Sequence, residues 1–177
     1  MNGRRAHEFL LMGAIVSLDQ ATKVLVDHFM SLHESRPVIE GLVHLTYVRN
    51  RGAAFGLLSD AELPFQSALF AIVSLAALAA IATYFFRLPD QSRLARLALS
   101  LVMGGAVGNL IDRARLGSVI DFVDVFWGPH HWPAFNVADS AISVGVTLLV
   151  LDMLRSPHTK DGAQRLAEPA TSAGRSE

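Results

Sequence analysis

No cysteine occurs among the 177 residues of this chain. That absence excludes thiol nucleophiles, disulfides and thiolate metal sites, and leaves the redox compartment undetermined. Charge is also scarce: only 18% of residues are Asp, Glu, Lys or Arg, against about 25% in an ordinary soluble domain. The net charge is −1, and no run of Lys or Arg offers a field for nucleic acid, so no nucleic-acid partner is expected. Neither a His-Glu-x-x-His zinc motif nor a Gly-x-Ser-x-Gly nucleophile elbow is present, and there is no internal repeat.

What remains is apolar. Hydrophobic residues make up 51% of the chain, and four stretches approach the roughly 20 residues that a bilayer-spanning helix needs. They run from about Glu8 to Phe29, Pro64 to Phe86, Leu94 to Asp112 and Asn136 to Leu154. The first, preceded by Arg4-Arg5, looks like a secretory signal peptide, but no small-x-small cleavage site closes it, so it reads as a retained helix. The second carries no ionisable group except Tyr84 and reads as the scaffold; the other three carry polar groups and face a shared site.

Lys and Arg near the helix ends set the orientation. Arg4, Arg5, Arg87, Arg93, Arg96, Arg155, Lys160 and Arg165 fall on one side; Arg36, Arg49, Arg51, Arg113 and Arg115 fall on the other. The bias places both termini in the cytoplasm. Of the two outer segments, residues 30–63 contain Gly41-Leu-Val-His-Leu-Thr-Tyr-Val48, where Val43, Leu45 and Tyr47 alternate with His44 and Thr46 as in a half-buried strand. Residues 114–135 hold Trp127 and Trp132, which suit a membrane–water boundary. The expectation is a mainly α membrane protein: one domain over 1–156 with four transmembrane helices, a small β-sheet on the non-cytoplasmic side between helices 1 and 2, and a disordered cytoplasmic tail over 157–177.

Five carboxylates stand inside or at the mouth of these apolar stretches: Asp19, Asp112, Asp121, Asp124 and Asp139. A charge there costs at least roughly 2.5–3.5 kcal/mol, so such groups persist where they pair, meet water or perform chemistry. Asp19 and Lys23 share a helix face; their pairing serves either to make both charges tolerable or to hold substrate. Gly104 and Gly108 form a small-xxx-small face for close helix packing. Asn109, Asp112 and Arg113 follow on one side of helix 3; the last two could simply cap and snorkel, while Asn109 lies deeper and lines a site. Asn136 and Asp139 open helix 4, where Asp is also a common cap. Asp121 and Asp139 together suggest two converging carboxylates. Such a pair cannot ionise twice easily, so one member can take a proton from water while the other donates to a carbonyl oxygen. His130-His131 beside Asp121 and Asp124 offers a metal site only in principle, since adjacent histidines project differently; neither a metal nor a cofactor is expected. A small proton-coupled membrane transporter is the alternative, and a non-catalytic membrane scaffold a third reading.

Five ordered pieces carry a resemblance: Asp19-Gln-Ala-Thr-Lys23, Asn50-Arg-Gly-Ala-Ala-Phe-Gly56, Gly104-Gly-Ala-Val-Gly-Asn-Leu-Ile-Asp-Arg113, Val119-Ile-Asp-Phe-Val-Asp124 and Phe135-Asn-Val-Ala-Asp139. In this order they resemble the bacterial lipoprotein signal peptidases (signal peptidase II), over roughly residues 8–155. The resemblance implies an aspartyl endopeptidase of the inner membrane, with its active site toward the periplasm. Its substrates would be prolipoproteins already bearing diacylglyceryl on a cysteine, cut just before that cysteine. It implies Asp121 and Asp139 as the catalytic pair, with Asp124 outside it. Asn50, Asn109, Arg113 and Asn136 match substrate-binding positions. Asp19, Lys23 and Asp112 match supporting positions, and Phe55 belongs to a segment expected to clamp over lipid and peptide. Membrane lipid is an expected partner, and the chain is expected to act as a monomer.

Overall fold

The computed structural model describes residues 3–52 and 66–155. Phe55, part of the 30–63 insert and the tail over 157–177 lie outside the described residues. Four helices follow: α1 (Gly3–Phe29), α2 (Gln66–Arg87), α3 (Arg93–Leu116) and α4 (Val137–Arg155). Each is long and apolar enough to cross a membrane, and the chain is a multi-pass membrane protein. Four strands, β1 (Ser35–Ile39), β2 (Val43–Asn50), β3 (Val119–Trp127) and β4 (His130–His131), form one antiparallel array in that order.

The sheet draws on both connections at one end of the bundle. β2 follows α1, β3 follows α3, and they pair across more than 70 positions of sequence with Val48 opposite Asp121 and His44 opposite Asp124. The strand expected in the first connection is there, two residues further on than the pattern suggested. The second connection, where the sequence offered a pair of boundary tryptophans, supplies half of the sheet. Its chain then folds back: Phe135 N–H donates to Val123 O at 3.1 Å and Phe135 O accepts from Val123 N–H at 2.8 Å. That return delivers Asn136 beside Asp121.

The helix ends explain the rest of the placement. α3 does not stop at Asp112. It runs one more turn to Gly117, whose φ of 69° is the left-handed conformation that glycine adopts freely, and whose N–H donates to Arg113 O at 3.0 Å. Asp112 and Arg113 are therefore helical residues with inward roles, not terminal caps. α4 starts at a reciprocal cap: Asp139 N–H donates to Asn136 Oδ1 at 2.9 Å, and Asn136 N–H donates to Asp139 Oδ2 at 3.3 Å.

α3, not α2, is the scaffold. It packs on α1, α2 and α4, and most of its length is buried inside the protein, whereas α2 packs on α3 and leaves most of its surface to lipid. Close approach needs glycine. A Cβ on Gly104 would stand 3.1 Å from Ile15 Cβ and one on Gly108 2.5 Å from Asp19 Oδ2, so the small-residue stripe seats α1. The next position, Gly105, seats α4, where a Cβ would meet Ala138 O at 2.4 Å. At the opposite end of the bundle, buried Arg96 forms 2.6 Å bonds from Nε and Nη2 to the two carboxylate oxygens of Glu8 and lies 4.8 Å over the Phe85 ring. Under the sheet, Val26, Met30, Tyr47, Ile120 and Phe122 form the core that joins α1 to β2 and β3.

Candidate active site

Asp121 sits on β3 and Asp139 in the first turn of α4, and one asparagine holds both. Asn136 Nδ2 donates to Asp121 Oδ1 at 2.7 Å, while Asn136 Oδ1 and N–H serve Asp139 through the helix cap. The local sequence dictates this: an N-cap residue and the residue three places on bond reciprocally, which leaves the N-cap amide nitrogen free for a neighbouring strand. Asn50, at the end of β2, donates from Nδ2 to Asp121 Oδ2 at 3.1 Å and accepts Gly52 N–H on Oδ1 at 2.9 Å. Asn109 of α3 donates from Nδ2 to Asp139 Oδ1 at 2.8 Å.

A second layer fixes these amides. Lys23 Nζ donates to Asn109 Oδ1 at 2.9 Å, which forces the Asn109 nitrogen toward Asp139. The same ammonium pairs with Asp19 Oδ2 and Asp112 Oδ2, each at 2.9 Å. Asp19 Oδ1 accepts Ala138 N–H at 2.9 Å, and Asp112 Oδ2 accepts Ile120 N–H at 3.1 Å. One buried cluster thus grips the residue before Asp139 and the residue before Asp121. Asp19 and Lys23 are sealed from solvent and do not line the cavity.

The two carboxylates open onto a cavity of about 720 Å³. Asn50, Asn109, Arg113, Asp121 and Asp139 line its polar end. Ser74, Ala77, Leu78 and Ile81 of α2 form one wall, and Ser140, Ile142, Ser143 and Val144 of α4 another. α2 and α4 each pack on α3 and scarcely on one another, so the cavity occupies the space between them. Trp132, Pro133 and Phe135 line the sheet end. Burial pushes the Asp121 carboxyl up to about 7, helped by the Asp139 charge and opposed by the bonds from Asn50 and Asn136. Arg113 lines the cavity within the electrostatic reach of Asp139, Asp121 and Asp112, and its guanidinium makes no ion pair with a described residue.

A family model described as signal peptidase (SPase) II matches residues 11–155. The chain belongs to the signal peptidase II family. The protein named lipoprotein signal peptidase in Geobacter metallireducens is 59% identical over 138 residues, covering 78% of this chain and 84% of that one. Its namesake in Geobacter sulfurreducens is 56% identical over 158 residues, covering 88% and 96%. A bacterial membrane enzyme solved by the in meso method at 2.3 Å resolution is similar with a TM-score of 0.78 and 32% identity, over 88% of this chain and 92% of that chain. The transporter alternative finds no support here; family membership makes the protein a peptidase.

Within this signal peptidase II scaffold, the site residues expected from sequence divide by contact. Asp121, Asp139, Asn50, Asn109 and Arg113 meet at the cavity; Asn136 stands fully buried behind them; Asp19, Lys23 and Asp112 lie deeper still. Both ends of the Asn50, Asn109 and Asn136 amides are engaged by the protein, so each first serves to hold a carboxylate. Asp124 goes elsewhere: it bonds His131 Nδ1 at 2.9 Å, tying β3 to β4. Among the described residues no group of three or more His, Asp or Glu side chains is placed to hold a metal.

Two contributors carried no assigned role in the sequence reading. Gln20, inside the first quoted piece, donates from Nε2 to Asp112 Oδ1 at 3.0 Å, Gly108 O at 3.1 Å and Asp19 Oδ2 at 3.2 Å, spanning α1 and α3. Its place beside Asp19 on a helix carrying buried charge was the available signal. Asp27 accepts from the Tyr47 hydroxyl and from Arg49 Nη2, the latter at 3.0 Å, and so ties the end of α1 to β2. Nothing local pairs Asp27 with residues twenty positions on.

Proposed function

We propose that this chain removes the signal peptide from diacylglyceryl-modified prolipoproteins by hydrolysing the bond just before the lipidated cysteine, with Asp121 and Asp139 as the catalytic pair. The observation that carries the reading is the shared asparagine, which sets two carboxylates side by side at the polar end of an otherwise apolar cavity. The names of the relatives agree with the substrate class.

The chemistry follows from the charges. With burial pushing the Asp121 carboxyl up to about 7, about half of the pairs keep its proton at neutral pH and more do below it. Ionised Asp139 takes a proton from water as the water oxygen attacks the scissile carbonyl carbon, and Asp121 gives its proton to the carbonyl oxygen. The tetrahedral diol then collapses: one hydroxyl proton returns to Asp121, the proton on Asp139 passes to the leaving nitrogen, and the C–N bond breaks. The pair ends as it began and no covalent intermediate forms. Arg113 stabilises charge developing on the carbonyl oxygen. Asn50, Asn109 and Asn136 keep both carboxylates in register during two proton transfers.

The signal peptide enters sideways from the bilayer through the space between α2 and α4, and its scissile bond rests at the sheet end, where water is available. The excess of Lys and Arg at the opposite end puts both termini in the cytoplasm and the site toward the periplasm of the inner membrane. The chain acts as a monomer in direct contact with lipid. Residues 1–156 form the peptidase domain.

The test uses purified full-length chain in detergent with a diacylglyceryl-modified prolipoprotein and the same protein lacking the lipid. Mass spectrometry should locate the cut immediately before the cysteine of the lipidated form and find none in the unmodified form. Equal cleavage of both, or a cut elsewhere, refutes the substrate assignment.

A further inference from the structure

Helix hydroxyls in apolar surroundings ordinarily donate to the carbonyl one turn back. Thr22, Thr83, Ser100, Ser140 and Thr147 do so at 2.8–2.9 Å. Ser74 of α2 and Ser143 of α4 line the cavity and donate to no described residue. Ser17, also without such a bond, is exposed on α1 away from the cavity. The cavity walls are otherwise apolar below the carboxylates, so two uncommitted hydroxyls there ask for a polar guest.

Depth says which part of the guest they meet. Ser143 follows Asp139 by one helical turn, about 6 Å toward the bilayer core. An extended peptide covers that distance in about two residues. Ser74 on the α2 wall and Ser143 on the α4 wall line the same cavity. A peptide must leave its helix before water can reach the scissile carbonyl. The unwound N–H and C=O groups then lose their intrahelical partners in a place where water cannot replace them. A hydroxyl supplies both a donor and an acceptor.

We infer that Ser143 and Ser74 are substrate-binding residues whose hydroxyls bond the unwound backbone of the signal peptide about two residues before the cut. This rests on the peptidase reading above. Holding the backbone there stabilises the extended form that the carboxylates need. It also explains why these serines do not satisfy themselves on their own helices.

The test compares wild type, Ser143→Ala, Ser74→Ala and Ser143→Thr as full-length chains in detergent, each shown folded by its melting temperature. The substrate is a synthetic diacylglyceryl-cysteine signal peptide, all-amide or with one amide replaced by an ester at each of the three residues before the cut in turn. Ser143→Ala should lower kcat/KM three- to tenfold on the all-amide peptide, about 0.7–1.4 kcal/mol at 1.4 kcal/mol per decade. Most of the loss should appear in KM, with Ser143→Thr restoring it. At one ester position the wild type should lose the same factor, and Ser143→Ala should add nothing further. Losses that multiply at every ester position, or no loss at all, overturn the inference while wild-type cleavage leaves the peptidase reading standing. An effect that vanishes only when the lipid esters are replaced by ethers assigns the serines to the lipid and also overturns it. A folded wild type that cleaves nothing overturns the peptidase reading itself.

Discussion

Replacing Gly105 by alanine tests whether the catalytic geometry is set by backbone contact between α3 and α4. The added Cβ would stand 2.4 Å from Ala138 O and 2.8 Å from Ile142 Cγ1. Carbon and carbonyl oxygen in contact stand about 3.3 Å apart, so close to ~0.9 Å must be yielded. The side-chain carbon can rotate, but the carbonyl is backbone and can yield only if α4 moves. Alanine gains about 1 kcal/mol of helix propensity over glycine, whereas forcing extra volume into a packed interface costs about 1–3 kcal/mol. With the carbonyl unable to rotate away, the clash wins, with a net loss of up to about 2 kcal/mol read as a lower melting temperature in detergent. Activity should suffer more than stability. Ala138 precedes Asp139, and the 2.8 Å bond from Asn109 to Asp139 spans the same interface. A misplacement near 1 Å at a reacting group can cost about 100-fold in rate, so kcat should fall by about that factor. Gly13→Ala is the control, since nothing lies within 4 Å of its added Cβ and propensity alone should act. If Gly105→Ala melts and cleaves like Gly13→Ala, the interface does not set the site.

Other outcomes follow from the same structure. Asp121 is held near 7, so cleavage should decline as pH rises through about 7 and the proton leaves the pair; its folded pKa lies above the unfolded value, so this group's contribution to stability is present below about 4 and lost as pH rises through 7. Asn50→Ala removes a bond that favours the ionised Asp121, and the alkaline limb should move to higher pH; a limb that stays or moves down contradicts the assignment. Lys23→Met leaves Asp19 and Asp112 buried without their cation, and should destabilise the fold by about 3–5 kcal/mol in thermal melts. Tyr47→Phe removes the bond to Asp27 and the 2.9 Å bond accepted from Arg49 Nε, and should cost about 1–3 kcal/mol while leaving cleavage nearly intact.

Much of the architecture was legible because bilayer spanning imposes long apolar runs, and each of the four runs became a helix. Their interior organisation was not. α2 read as the scaffold because its span to Phe86 carries no charged group, yet that same lack suits a helix facing lipid, and the glycine-rich, polar α3 is the hub. The pairing of β3 was not legible because Val119–Trp127 meets residues about 70–80 positions earlier, and no local pattern encodes that partner. The end of α3 was placed a turn short because Asp112 resembles a cap, whereas Gly117 supplies the stop. At the site, motif order named residues that the fold brings together, but their bonding partners were not legible. That Asn136 joins the two carboxylates, or that Lys23 orients Asn109, depends on where a strand and three helices meet. The Asp27–Tyr47–Arg49 tie was invisible for the same reason.

The central claim is that Asp121 and Asp139 act as one hydrolytic pair, and single-turnover cleavage of a diacylglyceryl-modified prolipoprotein tests it most directly. Wild type, Asp121→Asn and Asp139→Asn are compared at saturating enzyme, each with its melting temperature. Asparagine preserves shape and removes the titrating proton, so the account predicts folded proteins that bind substrate and cleave at least about 1,000-fold more slowly, on the order of two missing proton-transfer steps. Either folded variant cleaving within tenfold of the wild type would contradict it.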